Sequence, residues 1–476
     1  MRPPIAVRNP RTGENDFFIE PLDRDGVAAE HAVVAANQPA WAADLELRIE
    51  VLRSWREELV RSRRDIAEAL TVDTGRRALS YAEVDVILAA VDRWCRQAPE
   101  LLRPPEPRRS EMPGVDLSWA LSPYPVVAVI SPWNFPLILT LIDAVPALTA
   151  GCAVLAKASK VTPRFVEPLA ETIARVPTLD GVFRMIRGAG SIGSVMIEFA
   201  DAVCFTGSIP VGRIVAHAAA ERLVPAFLEL GGKDPAIVTE SADLDRASTA
   251  LLRASVANTG QACQSIERIY VALPVFDDFV ERLVAKAKAV ELNYPDIDRG
   301  QVGPLIAEEQ GDVIREHMAD AVARGAVVHC GGEVENLGGG LYCRPTVLTQ
   351  VTHDMLVMRE ETFGPLMPVM PFDTVDEAVA LANDSNCGLS GAAIAGSRAE
   401  AEAIGRRIEA GGISIMDAGL TSFVHDAEKD STKESGVGRS RMGASGLLRF
   451  LRKRALIHNA GDPWALAMFQ EGTQKG

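Results

Sequence analysis

Short apolar runs alternate with amphipathic segments through the middle of the chain. The runs predict strands at 126–130, 153–157, 183–186, 202–205 and 223–230. The segments between them predict helices at 136–150, 162–176, 191–199 and 210–222. Continuous apolar runs of this length are typical of strands that are buried on both faces. Their alternation with helices predicts a parallel, doubly wound sheet, which binds ligands at the carboxyl ends of its strands.

The same alternation resumes after Cys263. It predicts strands at 269–272, 326–330, 366–370 and 392–394, and helices at 276–289, 307–324, 375–383 and 399–409. The first hundred residues are predicted to be helical, and Ser80 with Glu83 matches a capping box at a helix start. The predicted fold class is therefore α/β, with two doubly wound parallel-sheet domains.

Composition excludes several classes of protein. The chain has 476 residues, too many for one hydrophobic core, and a net charge of −15, which disfavours non-specific nucleic-acid binding. Its seven cysteines include no C-x-x-C pair and predict neither a disulfide framework nor a metal site. Together with an N-terminus that lacks an apolar signal-peptide core, they indicate a reducing, cytoplasmic location.

One uncharged stretch resembles a membrane span in length and composition. Residues 121–142 carry no charge, but four prolines lie among them. Because each proline would interrupt a membrane helix, the stretch predicts a buried strand, a loop and a helix start, and no membrane association.

A carboxylate, a glycine pair and a thiol stand at the ends of predicted elements. Glu229 closes a strand and is followed by Gly231 and Gly232, while Cys263 follows the predicted helix at 243–258. A glycine pair permits backbone angles or close approaches that other residues forbid. A cysteine with a nearby carboxylate suggests a thiol nucleophile and a base.

Two glycine-containing turns could hold a phosphate group. The glycines at 188, 190 and 193 match the dinucleotide fingerprint, but no acidic residue ends the next strand. That strand is followed instead by Gly207 and Ser208, with Gly212 one helical turn later. A helix start of this kind favours a pyrophosphate, although helix capping explains the serine equally well.

Further polar residues follow other predicted strands. Asn134 could donate to an oxyanion or could cap the helix at 136–150. Lys157 and Lys160 could bind ribose or phosphate, or could simply be solvated. Glu361 could bind a ribose diol and Phe363 could cover a flat ring, although exposed carboxylates before a strand are common.

In this order and spacing, the motifs resemble those of the aldehyde dehydrogenase superfamily. The most specific are the strings at 132–136, 205–208, 229–233, 260–263 and 360–365, and the similarity runs from about Asn9 to about Gly446. The resemblance implies a cofactor domain at 1–111 and 125–230 and a catalytic domain at 231–435. A small β oligomerisation flap with the C-terminal region would take 112–124 and 436–476, and homodimers or homotetramers are expected.

The resemblance also implies a reaction with an aldehyde substrate and NAD or NADP as cofactor. Cys263 would attack the aldehyde, Asn134 would help to hold the oxyanion, and Glu229 would activate the water that hydrolyses the thioester. Because a free thiol has a pKa of about 8.5, a positive local potential would be needed to raise its thiolate fraction. The cofactor would be bound by Trp133, Lys157, Gly207, Ser208, Gly212, Glu361 and Phe363.

Two departures from the family pattern concern specificity. Lys160 stands where many NAD-preferring members have an acidic residue, so NADP is expected to be accepted and even preferred. The polar segment 427–432 replaces an aromatic string that lines the substrate tunnel in many members. A CoA-acylating relative and a non-catalytic homologue are the alternatives. The presence of Glu229 favours hydrolysis, and the intact set of Cys263, Asn134, Glu229 and Lys157 favours catalysis.

Overall fold

The computed structural model describes residues 3–470. The expected domain limits at 1 and 476 therefore lie outside the described residues. Within them the chain forms two large sheets, each covered by helices, and several small antiparallel ones. The helices are Arg24–Ala43, Leu45–Arg61, Arg63–Thr74, Arg77–Leu101, Pro136–Ala150, Val166–Ala174, Pro177–Asp180, Gly190–Phe199, Ile209–Glu221, Leu244–Val256, Phe276–Lys288, Glu309–Ala323, Leu356–Arg359, Val375–Asn383, Arg398–Gly405 and Ser445–Leu448.

The first sheet has six strands. Its spatial order is Gly436–Val437, Ala226–Glu229, Ala202–Thr206, Val126–Ile130, Ala153–Lys157 and Phe183–Ile186. All neighbours are parallel except the first pair, which is antiparallel. The three central strands are buried along their whole length, which explains their continuous apolar sequences.

The second sheet has seven strands. Its spatial order is Val327–Cys330, Thr346–Thr349, Leu366–Phe372, Ile266–Ala272, Asp234–Val238, Ser390–Ile394 and Gly412–Ile415. Only the pair at the Val327–Cys330 edge is antiparallel. The observed strands and helices confirm the predicted alternation, with most boundaries within a few residues. Three strands of the second sheet were not predicted: Asp234–Val238, Thr346–Thr349 and Gly412–Ile415.

A three-stranded antiparallel sheet stands apart from both. The long strand Leu451–Asn459 pairs with Val115–Pro123, which also pairs with Arg108–Arg109. The remaining sheets are two-stranded pairs: Ile5–Arg8 with Asn15–Ile19, Val334–Leu337 with Gly340–Cys343, and Cys387–Gly388 with Thr432–Lys433.

The N-terminal region corrects two predictions. It begins with the hairpin Ile5–Arg8 and Asn15–Ile19 rather than with a helix. Ser80 and Glu83 do not cap a helix start, because both lie inside the helix Arg77–Leu101 and are buried. Glu83 instead accepts hydrogen bonds from the backbone N–H groups of Leu137 and Ile138, at the start of another helix.

The uncharged stretch 121–142 folds as predicted. It runs from the strand Val115–Pro123 through Val126–Ile130 into the helix Pro136–Ala150. Among residues 3–470, no helix is both long enough and apolar enough to cross a bilayer.

The strand order of the first sheet locates a crevice. From Val126–Ile130 the chain first adds Ala153–Lys157 on one side and later Ala202–Thr206 on the other. Ligands of doubly wound sheets bind outside the carboxyl ends of the strands where the order reverses in this way. The loops at Ser131–Asn134 and Gly207–Ser208 therefore border the crevice.

Candidate active site

A cavity of about 210 Å³ lies at this crevice. Seven of the eleven predicted site residues line it: Trp133, Asn134, Gly207, Ser208, Cys263, Glu361 and Phe363. The other four, Lys157, Lys160, Gly212 and Glu229, are not among its lining residues. The structure thus brings the loops of the first sheet together with the thiol and the 361–363 segment, which are distant from those loops in the sequence.

Cys263 lies in a strained loop before the strand Ile266–Ala272. Asn258 and Thr259 both have positive φ, at 55° and 60°, and Gly260 follows at 71°. For the β-branched Thr259 this conformation is costly, and such strain persists only where surrounding contacts enforce it. A Cβ at Gly260 would lie 2.2 Å from the Gly364 carbonyl oxygen, so only glycine fits between the two segments.

Gln261 holds this loop in place. Its amide nitrogen donates to the carbonyls of Asn258 and Pro304, at 3.0 and 3.3 Å, and its amide oxygen accepts from the Ile306 N–H at 2.8 Å. The side chain is completely buried. A buried amide with these partners fixes the backbone two residues before the thiol.

The surroundings of Cys263 keep it protonated. Burial and the nearby Glu361 carboxyl together raise the pKa of the Cys263 thiol to about 12, while Lys429 acts in the opposite direction. The expected positive potential at the thiol is therefore not provided by the protein side chains alone.

Asn134 does not cap the following helix. The helix Pro136–Ala150 has Phe135 at its N-cap and no side-chain cap. The Asn134 amide nitrogen donates to the Gln261 carbonyl at 3.1 Å, and the Asn134 carbonyl accepts from Arg76 and Asn258 at 2.7 and 3.1 Å. Since an amide carries two N–H groups, one remains to serve an oxyanion in the cavity.

The glycine pair permits close approach rather than an unusual backbone angle. A Cβ at Gly231 would lie 2.5 Å from the Glu361 Oε2, and a Cβ at Gly232 would lie 2.4 Å from the Cys263 carbonyl oxygen. Neither glycine has a positive φ. The two positions therefore let Glu361 and the thiol loop approach the end of the first sheet.

Glu361 and Phe363 enclose one side of the cavity. The Glu361 carboxyl accepts from the Gly232 N–H at 3.0 Å. Burial and the charge of Glu267 together raise the pKa of Glu361 to about 8. The Phe363 ring meets Trp133 edge to face at 5.3 Å between centroids, and both rings line the cavity.

The Gly207–Ser208 turn suits an anionic group. The helix Ile209–Glu221 starts directly after Ser208, whose side chain does not cap it. Its first N–H groups and the positive end of its dipole therefore face the crevice. Gly212 serves packing, because a Cβ there would lie 2.4 Å from Leu230 Cδ2.

The two lysines lie beyond the cavity wall. Lys157 ends its strand and is buried, and its ammonium donates to the Ala158 carbonyl at 3.0 Å. Burial and the charge of Lys160 lower the pKa of Lys157 to about 8. Lys160 is exposed.

Glu229 does not line the cavity that contains the thiol. Its Oε2 accepts from the Ser431 hydroxyl at 3.2 Å, and its Oε1 lies 3.8 Å from the Arg441 Nε. It lines a second, small cavity together with the polar segment that contains Lys429 and Asp430. The candidate base and the candidate nucleophile therefore line different cavities.

Sequence reasoning missed several residues that support the site. These are the buried residues Arg76, Asp143, Asn258, Gln261 and Arg441, together with Lys429, which was named only as part of a polar segment. An isolated arginine or glutamine carries no signal of this role in a sequence. A charge inside the otherwise apolar helix Pro136–Ala150, at Asp143, was the one available indication.

Comparisons with known proteins agree with this arrangement. The model of the aldehyde dehydrogenase family matches residues 2–456. A Mycolicibacterium smegmatis protein named "Putative succinate-semialdehyde dehydrogenase (NADP+)" is 35% identical over 438 residues, which cover 91% of this chain and 84% of that protein.

Two solved structures are also similar. One is "Putative Aldehyde Dehydrogenase PutA" from Anabaena variabilis, with 50% identity, a TM-score of 0.95, and coverage of 98% of this chain and 100% of that one. The other is betaine aldehyde dehydrogenase from Staphylococcus aureus in complex with NAD+, with 29% identity, a TM-score of 0.91, and coverage of 98% and 94%. These findings confirm the predicted fold class and the predicted resemblance. The chain belongs to the aldehyde dehydrogenase family.

Proposed function

We propose that this protein oxidises an aldehyde to the carboxylic acid with NAD(P)+, using Cys263 as nucleophile and Glu229 as base. The observation that carries the assignment of roles is the shared cavity. It places the Cys263 thiol beside the Asn134 amide, a helix start suited to phosphate, and the Glu361 carboxyl.

The residues around the cavity fit a dinucleotide. The uncapped helix start after Ser208 suits the pyrophosphate, Glu361 and Lys157 suit ribose hydroxyls, and the Trp133–Phe363 pair suits a flat ring. When bound, the oxidised nicotinamide accepts a hydride.

The first half of the reaction joins the substrate to the protein. The Cys263 thiol gives up its proton to water, its sulfur forms a bond to the aldehyde carbon, and the carbonyl π electrons move to the carbonyl oxygen. The Asn134 amide N–H and the Cys263 backbone N–H stabilise this oxyanion. Loss of a hydride from the same carbon restores the C=O bond and leaves a thioester on Cys263.

The second half releases the acid. Glu229 turns from Ser431 toward the thioester and takes a proton from a water molecule, whose oxygen attacks the carbonyl carbon. The carbon–sulfur bond then breaks and the electron pair returns to Cys263. The presence of Glu229 supports water rather than CoA as the acceptor.

NADP is proposed to be accepted and preferred. Lys160 is exposed and lies close enough to Lys157 to lower the pKa of its ammonium, so the two form a cationic edge beside the first sheet. Such an edge would attract a 2′-phosphate. The M. smegmatis relative is named for NADP+, while the S. aureus structure contains NAD+.

The test uses the purified protein and a panel of aldehydes, with NAD and NADP supplied separately. Cys263→Ser is expected to abolish oxidation while cofactor binding persists in calorimetry. Glu229→Gln is expected to release one NAD(P)H per site and then stall at the thioester. Normal turnover by Glu229→Gln would contradict the role of the base, and a strict requirement for CoA would contradict hydrolysis.

The assembly and location are proposed on the same basis. Segments 1–111 and 125–230 would hold the cofactor, 231–435 would carry the thiol, and 112–124 with 436–476 would join subunits. The strand Leu451–Asn459 supports a dimer or tetramer, because it exposes Leu456 and Ile457 by 40% and 71%. Seven free cysteines support the reducing cytoplasm as the location.

A further inference from the structure

A network of buried charges lies behind Glu229. Asp143, in the helix Pro136–Ala150, pairs with Arg441 at 2.9 Å and also with Arg449. The three side chains are at most 6% exposed. Buried charges persist only when they are paired and hydrogen-bonded, so this cluster holds its members in fixed orientations.

In the guanidinium of Arg441, Nη2 makes hydrogen bonds, whereas Nε makes none among the described residues. Its Nη2 donates to Asp143 and, at 2.6 Å, to the hydroxyl of Thr206, the last residue of the strand before the Gly207–Ser208 turn. Its Nε is buried and has no hydrogen-bond partner among residues 3–470. That Nε forms an ion pair with Glu229 Oε1, at a distance of 3.8 Å.

We propose that Arg441 is a positioning residue for Glu229, whose carboxylate it holds by charge attraction until the thioester has formed. This inference rests on the proposed role of Glu229 as the base. A guanidinium 3.8 Å away attracts the carboxylate but makes no full hydrogen bond with it, so the carboxylate can still leave.

Other charges face Glu229 as well. Lys429, Asp430, Arg439 and Arg449 line the same small cavity, and the thiols of Cys204 and Cys263 interact with it electrostatically. Arg441 differs from these cations because it alone forms an ion pair with Glu229 among the described residues. Loss of its charge should therefore affect the base more than loss of any other cation.

The matched pair of variants is Arg441→Met and Arg449→Met. Each removes one arginine from Asp143 and leaves the other, but only Arg441→Met removes the cation beside Glu229. Rapid mixing with aldehyde and cofactor separates the burst of NAD(P)H, which reports thioester formation, from steady turnover, which reports hydrolysis. Both phases are measured at pH 7 on the full chain.

Arg441→Met is expected to keep the burst amplitude and to lower steady turnover about tenfold at pH 7, because a displaced base contributes less to hydrolysis. Arg441→Lys should restore most of the loss, and Arg449→Met should lower steady turnover far less.

Unchanged steady turnover in Arg441→Met, or an equal loss in Arg449→Met, would overturn the proposal. If Arg441→Met does not fold by circular dichroism, Arg441→Gln is decisive, because it keeps donors for Asp143 and Thr206 but lacks the charge. Failure of the proposed function would look different: the unmodified protein itself would show no burst, or Glu229→Gln would turn over normally.

Discussion

Substitution of Gly232 by alanine tests whether the glycine pair positions the thiol. An alanine Cβ would lie 2.4 Å from the Cys263 carbonyl oxygen and 2.9 Å from Asp234 Oδ1, whereas ordinary van der Waals contact begins near 3.4 Å. The backbone angle itself is compatible with alanine, because Gly232 has no positive φ. The loop that carries Cys263 must therefore move by about 1 Å, and a misplacement of this size costs about 100-fold in rate.

The expected result for Gly232→Ala is a kcat/KM about 100-fold lower, equivalent to about 2.7 kcal/mol of transition-state stabilisation. Gly231→Ala is the matched control. Its Cβ would meet the Glu361 carboxylate at 2.5 Å, which is the movable end of a side chain rather than backbone. We expect a higher cofactor KM from Gly231→Ala and a change in kcat of less than about tenfold.

Steady-state kinetics, with cofactor binding by calorimetry and folding by circular dichroism, distinguish the two variants. We expect Gly232→Ala to fold and to bind the cofactor but to be impaired in the thiol step. The rate of Cys263 alkylation by iodoacetamide reports on the thiol separately. A kcat/KM within threefold of that of the unmodified protein would refute the role of Gly232. A loss in Gly231→Ala as large as in Gly232→Ala would refute the distinction between backbone and side-chain contacts.

Two further predictions concern the lysines beside the first sheet. Lys160→Glu is expected to lower the preference for NADP over NAD by at least about tenfold in kcat/KM, because it reverses the charge that faces a 2′-phosphate. An unchanged ratio of the two kcat/KM values, measured in paired assays, would contradict the role of Lys160. The cofactor KM is expected to rise as the pH increases through about 8, since the pKa of Lys157 is lowered to about 8 by burial and by Lys160, and the amine loses its charge above that value. Lys160→Met should move this rise to higher pH, because it removes the repulsion that lowers the pKa of Lys157, and a KM profile that is flat from pH 6 to 10 would contradict the assignment.

Local sequence predicted most elements because burial on both faces leaves a clear pattern. The strands Val126–Ile130 and Ala153–Lys157 have the predicted bounds, and every residue in both is buried. The N-terminal hairpin was missed because its strands are short and largely exposed, so their side chains show no continuous apolar run. Ser80 and Glu83 satisfied a local capping pattern, but burial against another helix start gave Glu83 a different partner.

The sequence alone determined the alternation of strands and helices, and it placed Asn134, Ser208, Cys263 and Glu361 at the ends of elements, because local patterning decides where elements stop. Only the tertiary structure decided which of these ends share a cavity, that Glu229 accepts a hydrogen bond from Ser431, and that Asp143 meets Arg441 across almost three hundred residues. The physical reason is that burial, charge pairing and close backbone approach depend on neighbours in space. No local spacing in the sequence encodes those neighbours.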